Sequence, residues 1–439
     1  MKLVFALAFI TTFFQINLLV FQDTLWGGHF NPYTSLQWYI ADFFFFACLF
    51  LYGLHILHNS KRVFVAFSNS YVKLIVFGML FFVTLSYFFS IRTSVTFIWI
   101  IQIIKLLVVY FLTINRVLSE KTILHLFIAS LIFQTLIAII QFALQSSIGL
   151  SLLGESRLSP ETLNVAKLSL GGFKILRAYG TQTHANILGG LLSLGIISTI
   201  YLYITEEVRK RTAVSLLIIL GLGLFLSFSR SAWLATAVSI TLFLAFRKYK
   251  IEYARIQKII AGILITILLS TITGLLPFVW YRYLSSTSAG ERVNQVYSSA
   301  HMMLENPFGV GMGNFTNAAD LYSNVKLMPW EFEPVHNVYL LIGTELGVLA
   351  MAIALFFTAQ LFLRLFSSLK EVQGKYKCLP VYFGIIAFSH VFILMNFDHY
   401  FYTSFTARTI LIVFFGILTN LLRQTSESGL TLENRNTCG

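Results

Sequence analysis

Three arginines and one histidine carry the chemistry that this sequence can offer: Arg177, Arg230, Arg292 and His336. Arg177 lies in R-A-Y-G-T-Q-T-H-A-N, with His184 seven residues on, and Arg230 lies in S-F-S-R-S-A-W between two apolar runs. Arg292 and His336 belong to a 55-residue polar island, Arg282 to His336, that also holds the glycine turn Gly309, Gly311 and Gly313. A guanidinium presents a planar fork of donors that matches phosphate and keeps its charge at any relevant pH. Three of them delivered to one membrane face suit a pyrophosphate. An imidazole titrates near neutrality and suits proton transfer. His336 follows Pro334, which keeps the chain extended, and precedes Asn337, a good helix N-cap. The helix that begins there turns its partial positive end toward the same region. Each side chain also has a plainer use, the arginines as snorkelling anchors and the histidine as a satisfied loop group.

The elements that must position these residues are membrane helices. The chain of 439 residues is 57% hydrophobic and only 11% charged, against about 25% charged in soluble domains. Apolar runs of about 20 residues cross a bilayer core. Twelve such spans are expected, near 3–21, 38–57, 72–90, 94–114, 122–145, 185–204, 212–229, 231–246, 259–280, 337–363, 380–397 and 403–422. The fold class is therefore all-α and polytopic, one integral membrane domain over 1–439. With the N-terminus inside, 20 of the 31 Lys and Arg residues fall in inside segments, nine fall outside, and Lys105 and Arg408 fall within spans. The positive-inside rule then places both termini in the cytoplasm. The net charge of +13 sits where anionic lipid attracts it and is not a nucleic-acid footprint. Cys48, Cys378 and Cys438 have no disulfide or zinc spacing.

Two long outside loops stand out, 146–183 and 281–336. Long loops in compact proteins are functional or disordered, and the apolar content of these two argues for order. In the second, Val293, Val296, Tyr297, Ala300, Met303 and Leu304 share one helical face, and Asn306-Pro307 ends the helix. Such a helix lies in the interface with its apolar face down. Glu345 is nine residues beyond His336, roughly 180° around a helix, so the two are not expected to pair. A carboxylate in a membrane helix is costly and a functional candidate by default. Lys105, Arg408, Asp42 and His390 lie inside spans and are expected to pair with one another or with backbone. Asp398 and His399 cap the last hairpin on the outside, with no third ligand nearby in sequence, and no metal site is assigned.

At these residues the chain resembles the O-antigen ligase and polymerase superfamily of bacterial polytopic glycosyltransferases. The matching pieces are R-A-Y-G-T-Q-T-H-A-N (177–186), S-F-S-R-S-A-W (227–233), E-R-V-N-Q-V-Y through E-N-P-F-G-V-G-M-G-N-F (291–315) and H-N-V-Y-L-L-I-G-T-E-L-G (336–347), in the family's order. The resemblance implies a helical glycosyltransferase of the C-type group in the bacterial inner membrane. Its periplasmic face uses a glycan on undecaprenyl diphosphate. By carry-over, Arg177, Arg230 and Arg292 hold the donor pyrophosphate, His336 activates or orients the acceptor hydroxyl, and His336 and Arg292 are the catalytic pair, with no metal and no cofactor. His184, Asn186, Asn337 and Glu345 become supporting residues. The family's usual H-P-N is His184-Ala185-Asn186 here, so the turn differs. The implied reaction is transfer of the glycan to lipid A-core, which makes the enzyme a ligase. The alternative is a polymerase that extends a growing glycan. Membrane lipids are further partners. A flippase would line a path across the bilayer with charge, whereas the charge here collects at one face.

Overall fold

The computed structural model describes residues 1–24, 30–58, 70–163, 165–170, 173–248, 287–371 and 379–436. The expected span at 259–280 lies outside them, as do Arg282, Cys378 and Cys438. The other eleven apolar runs all contain helix. In chain order these are α1 (Lys2–Thr11), α2 (Ile40–His58), α3 (Ser70–Phe88), α4 (Thr93–Ile114), α5 (Glu120–Leu144), α6 (Ala185–Ile204), α7 (Lys210–Ser227) and α8 (Arg230–Lys248). The polar island contributes α9 (Thr287–Glu305) and α10 (Phe315–Tyr322). Beyond it come α11 (Val338–Leu346), α12 (Val348–Glu371), α13 (Leu379–Phe397), the one-turn α14 (Tyr400–Thr403) and α15 (Phe405–Asn436). Seven of the described helices are long and apolar enough to cross a membrane. The protein is a mostly helical, multi-pass membrane protein. Its helices bury one stripe, such as Phe5, Phe9, Phe127, Leu188 and Ile410, and present Phe50, Phe77, Phe97 and Phe356 outward. Outward apolar rings suit lipid as the surrounding solvent.

Two runs differ from their sequence reading. The run 3–21 is helical only to Thr11 and re-forms as strand β1 (Asn17–Phe21), paired antiparallel with β2 (Leu36–Tyr39). Polar Gln15 sets the break, because its Nε2 donates to Thr406 Oγ1 at 2.8 Å. The run 337–363 is not one helix but two. Gly347 adopts φ 99°, and the Val348 amide then donates to Pro307 O at 3.0 Å. A side chain at 347 would meet that same carbonyl at 2.7 Å. A second small sheet, β3 (Lys167–Leu170) with β4 (Phe173–Leu176), orders the loop that leads to Arg177.

Between α7 and α8 the connection is two residues long. Phe228 takes a left-handed conformation (φ 47°) and Trp233 Nε1 donates to Leu224 O at 3.1 Å, which closes the hairpin and places Arg230 at its tip. Inside the bundle, Lys105 pairs with Asp42 at 2.5 Å. Arg408 donates to Gln102 Oε1 at 2.8 Å and lies 5.2 Å from the Trp99 ring centroid. His390 is held between Ser193 Oγ (2.8 Å) and Ser239 Oγ (3.0 Å). Buried ions and imidazoles are thus met by partners, as a low-dielectric interior demands.

The glycine turn before α10 packs against α4. Gly313 has φ 80°, and a methyl group there would collide with the Trp99 ring. Gly313→Ala is therefore expected to cost about 1–3 kcal/mol in strain and displaced packing. A lowered unfolding temperature in detergent would bear this out. An unchanged one would mean that the turn is not packed as described.

Candidate functional site

The polar residues converge where α6, α8 and α11 begin and α7 and α13 end. Arg177 is half-buried. Its Nε donates to Ser227 O at 2.8 Å, which ties it to the α7–α8 hairpin, and its Nη2 donates to Asn186 Oδ1 at 2.5 Å. Asn186 Nδ2 in turn donates to Asp398 Oδ2 at 2.8 Å. The Asp398 Oδ1 accepts the His399 amide at 2.9 Å. A buried carboxylate at the end of α13 is thereby linked through one amide to a guanidinium that lies far away in sequence.

His184 caps α6 with its own ring. Its Nδ1 accepts the Asn186 amide at 3.1 Å, so the alanine that replaces proline at 185 still leaves a helix start. His336 donates from Nδ1 to Gln295 Oε1 at 2.8 Å, across from α9. That bond leaves Nε2 with its lone pair. Asn337 caps α11 by accepting the Tyr339 and Leu340 amides at 2.9 and 3.0 Å. The His336 and His399 rings meet edge to face at 5.1 Å. His399 Nδ1 lies 2.8 Å from Thr403 Oγ1, whose own proton goes to His399 O, so this imidazole also keeps Nε2 free.

Burial first, and neighbouring charge second, set the protonation states. Burial, and then the Arg292 cation, hold the His336 imidazole well below its ordinary value. Burial followed by Arg177 pushes His184 down to about 4, and burial lowers His399 as well. All three are neutral near pH 7. Burial raises the Asp398 carboxyl, and the imidazoles of His336 and His399 when protonated, with Arg292, bring it down to about 2. With the rings neutral near pH 7, the Arg292 and Arg177 charges and the hydrogen bonds from Asn186 and the His399 amide keep this carboxylate ionised. Burial lowers Arg177 to about 10 and lowers Arg292 too, which leaves both charged. Glu333 rises to about 7 through burial and then the Asp398 charge.

Of the expected residues, the structure brings Arg177, His184, Asn186, Arg292 and His336 into one electrostatic group around Asp398. Arg230, exposed at the hairpin tip, adds its charge to those of Arg177 and Arg292. Glu345 stands apart. Its Oε2 accepts the Gly313 amide and the Tyr402 hydroxyl, both at 2.8 Å, and its Oε1 accepts the Phe315 amide at 3.2 Å. It braces the glycine turn against the bundle and makes no contact with His336 in this arrangement. Asp398, His399, Glu333 and Gln295 are the residues that sequence reasoning left out of the site. The signal for the first two was their place at the outside tip of the last hairpin. Among the described residues, Glu333, His336 and His399 bring potential ligand atoms within 4.8 Å of one another, a set that could hold a cation.

Residues 215–355 match the family model of the O-antigen ligase domain, roughly a third of the chain. The match starts in α7 and ends in α12, so it contains Arg230, Arg292, His336 and Glu345. It supports the O-antigen ligase and polymerase superfamily and, with the helices, a multi-pass membrane protein of that kind. No curated protein matches the chain significantly.

The Gln295 carbonyl oxygen, as the acceptor, favours the His336 tautomer protonated at Nδ1. Gln295→Leu is expected to let the ring take the other tautomer, read from the ring-nitrogen chemical shifts of histidine-labelled protein. An unchanged shift pattern would show that the tautomer is set by something else.

Proposed function

We propose that this protein transfers a glycan from undecaprenyl diphosphate to a sugar hydroxyl of lipid A-core at the periplasmic face of the inner membrane, with both termini cytoplasmic. The observation that carries this reading is the convergence of Arg177, Arg230 and Arg292 with a neutral His336 at one end of the bundle. Three guanidiniums match a pyrophosphate that gains negative charge as the glycosidic bond breaks. Preorganised charge of this kind is usually the largest contribution to catalysis. His336 Nε2 accepts the proton of the acceptor hydroxyl. The oxygen attacks the anomeric carbon, and undecaprenyl diphosphate leaves from the opposite side, which inverts the configuration. The Nδ1–H to Gln295 bond holds the ring in the tautomer that this step needs. In this scheme the arginines neutralise the leaving group, so transfer proceeds without a metal.

The same donor site serves a polymerase, in which the acceptor is a growing glycan instead of lipid A-core. The test is transfer by the purified full-length protein, given a lipid-linked oligosaccharide donor and lipid A-core acceptor in EDTA. Glycan on lipid A-core supports the ligase reading, and a lengthened donor chain would replace it with the polymerase. Intact donor would end both. In the same assay Arg292→Ala and His336→Ala are expected to abolish transfer while membrane insertion is kept. Full activity in both variants would contradict the assigned roles.

A further inference from the structure

The geometry points to Glu333, His336 and His399 as a binding site for a zinc-class divalent cation, one that blocks transfer when filled. The donor set is two imidazoles and one carboxylate, whose ligand atoms all lie within 4.8 Å of one another. Zinc bonds to nitrogen and oxygen run about 2.0–2.2 Å, which puts tetrahedral ligands about 3.3 Å apart. Closing the set therefore asks for movements of at most about 1.5 Å, which side-chain rotation supplies.

The outer contacts make the case stronger than proximity alone. A ligating histidine characteristically donates its other ring N–H to a fixed acceptor, which sets tautomer and ring orientation. Both rings do so here, His336 to Gln295 at 2.8 Å and His399 to Thr403 at 2.8 Å. Each acceptor comes from a different element, α9 for Gln295 and α14 for Thr403. Both Nε2 lone pairs are thereby left available. Asp398, adjacent to His399, adds a second carboxylate whose charge offsets Arg292. Glu333 and His336, on either side of Pro334 in one loop, both reach the cluster. Two imidazoles select zinc, copper, iron or nickel class ions, while magnesium and calcium need oxygen ligands.

The inhibitory consequence rests on the transfer reading above: a cation on His336 Nε2 takes the lone pair that accepts the hydroxyl proton. Binding itself is read without substrate, so the two ideas fail separately. The test uses metal-stripped full-length protein in detergent, titrated with Co²⁺ followed by visible absorption and with Zn²⁺ followed by equilibrium dialysis. One Zn²⁺ per chain is expected, together with Co²⁺ bands of a four- or five-coordinate site and no competition from Mg²⁺. His399→Ala should abolish the bands. Thr403→Val, which keeps the shape and removes only the outer partner, should weaken affinity about 10- to 100-fold. His301→Ala, at a histidine on α9 outside the trio, should leave binding unchanged. Absence of saturable binding, or binding that both His399→Ala and Thr403→Val retain in full, would overturn the site. If Zn²⁺ binds but leaves transfer undiminished, the inhibitory half is overturned and the site remains.

Discussion

The carboxylate of Asp398 is the constraint on which the rest of the site depends. An ionised carboxyl at the buried end of a helix is costly unless every lone pair has a partner. Here Asn186 and the His399 amide supply hydrogen bonds, and Arg292 supplies charge. Because Asn186 also accepts from Arg177, satisfying one buried ion fixes the placement of a guanidinium on a different loop. Arg177 then reaches Ser227 O and ties down the hairpin that carries Arg230. The like charges of Arg177, Arg230 and Arg292 repel one another. Asp398, Glu333 and Glu291 offset part of that repulsion at Arg292.

A second carboxylate, Glu345, does structural work of a different kind. It accepts two backbone amides of the glycine turn and one tyrosine hydroxyl, so three elements meet at one side chain. Tyr402 in turn stacks on Trp99, with ring centroids 5.3 Å apart. The short helix α14 carries both Tyr402, which braces the loop, and Thr403, which meets the His399 ring at its N-terminal end. Rigid support of this sort is what holds charged groups in productive geometry and lets them act without reorganising.

Much of the fold was legible in the sequence, because apolar runs of helix-spanning length admit few other structures in a bilayer. The two departures had causes outside the runs. Gln15 breaks the first by bonding to a residue near the far end of the chain, and Gly347 breaks another because a carbonyl from Pro307 arrives there. Arg177, Arg230, Arg292 and His336 were legible because they fall in loops and at a hairpin tip on the outside, where the positive-inside rule does not account for basic residues. Asp398 and His399 were visible but could not be joined to His336, since nothing in the sequence reports a contact between two separate hairpin tips. Glu333 belongs to no periodic pattern, and Glu345 carried a cost in a helix but not the identity of the turn it supports.

The most direct test of the account is glycan transfer by Asp398→Asn, measured beside wild type with thermal stability recorded for both. The substitution keeps shape and removes the charge that balances Arg292. The expected result is a loss of at least about 100-fold in transfer, the low end of what a misplaced proton-transfer group costs, in a protein that still folds. Wild-type transfer by Asp398→Asn would contradict the claim that this buried carboxylate organises the site.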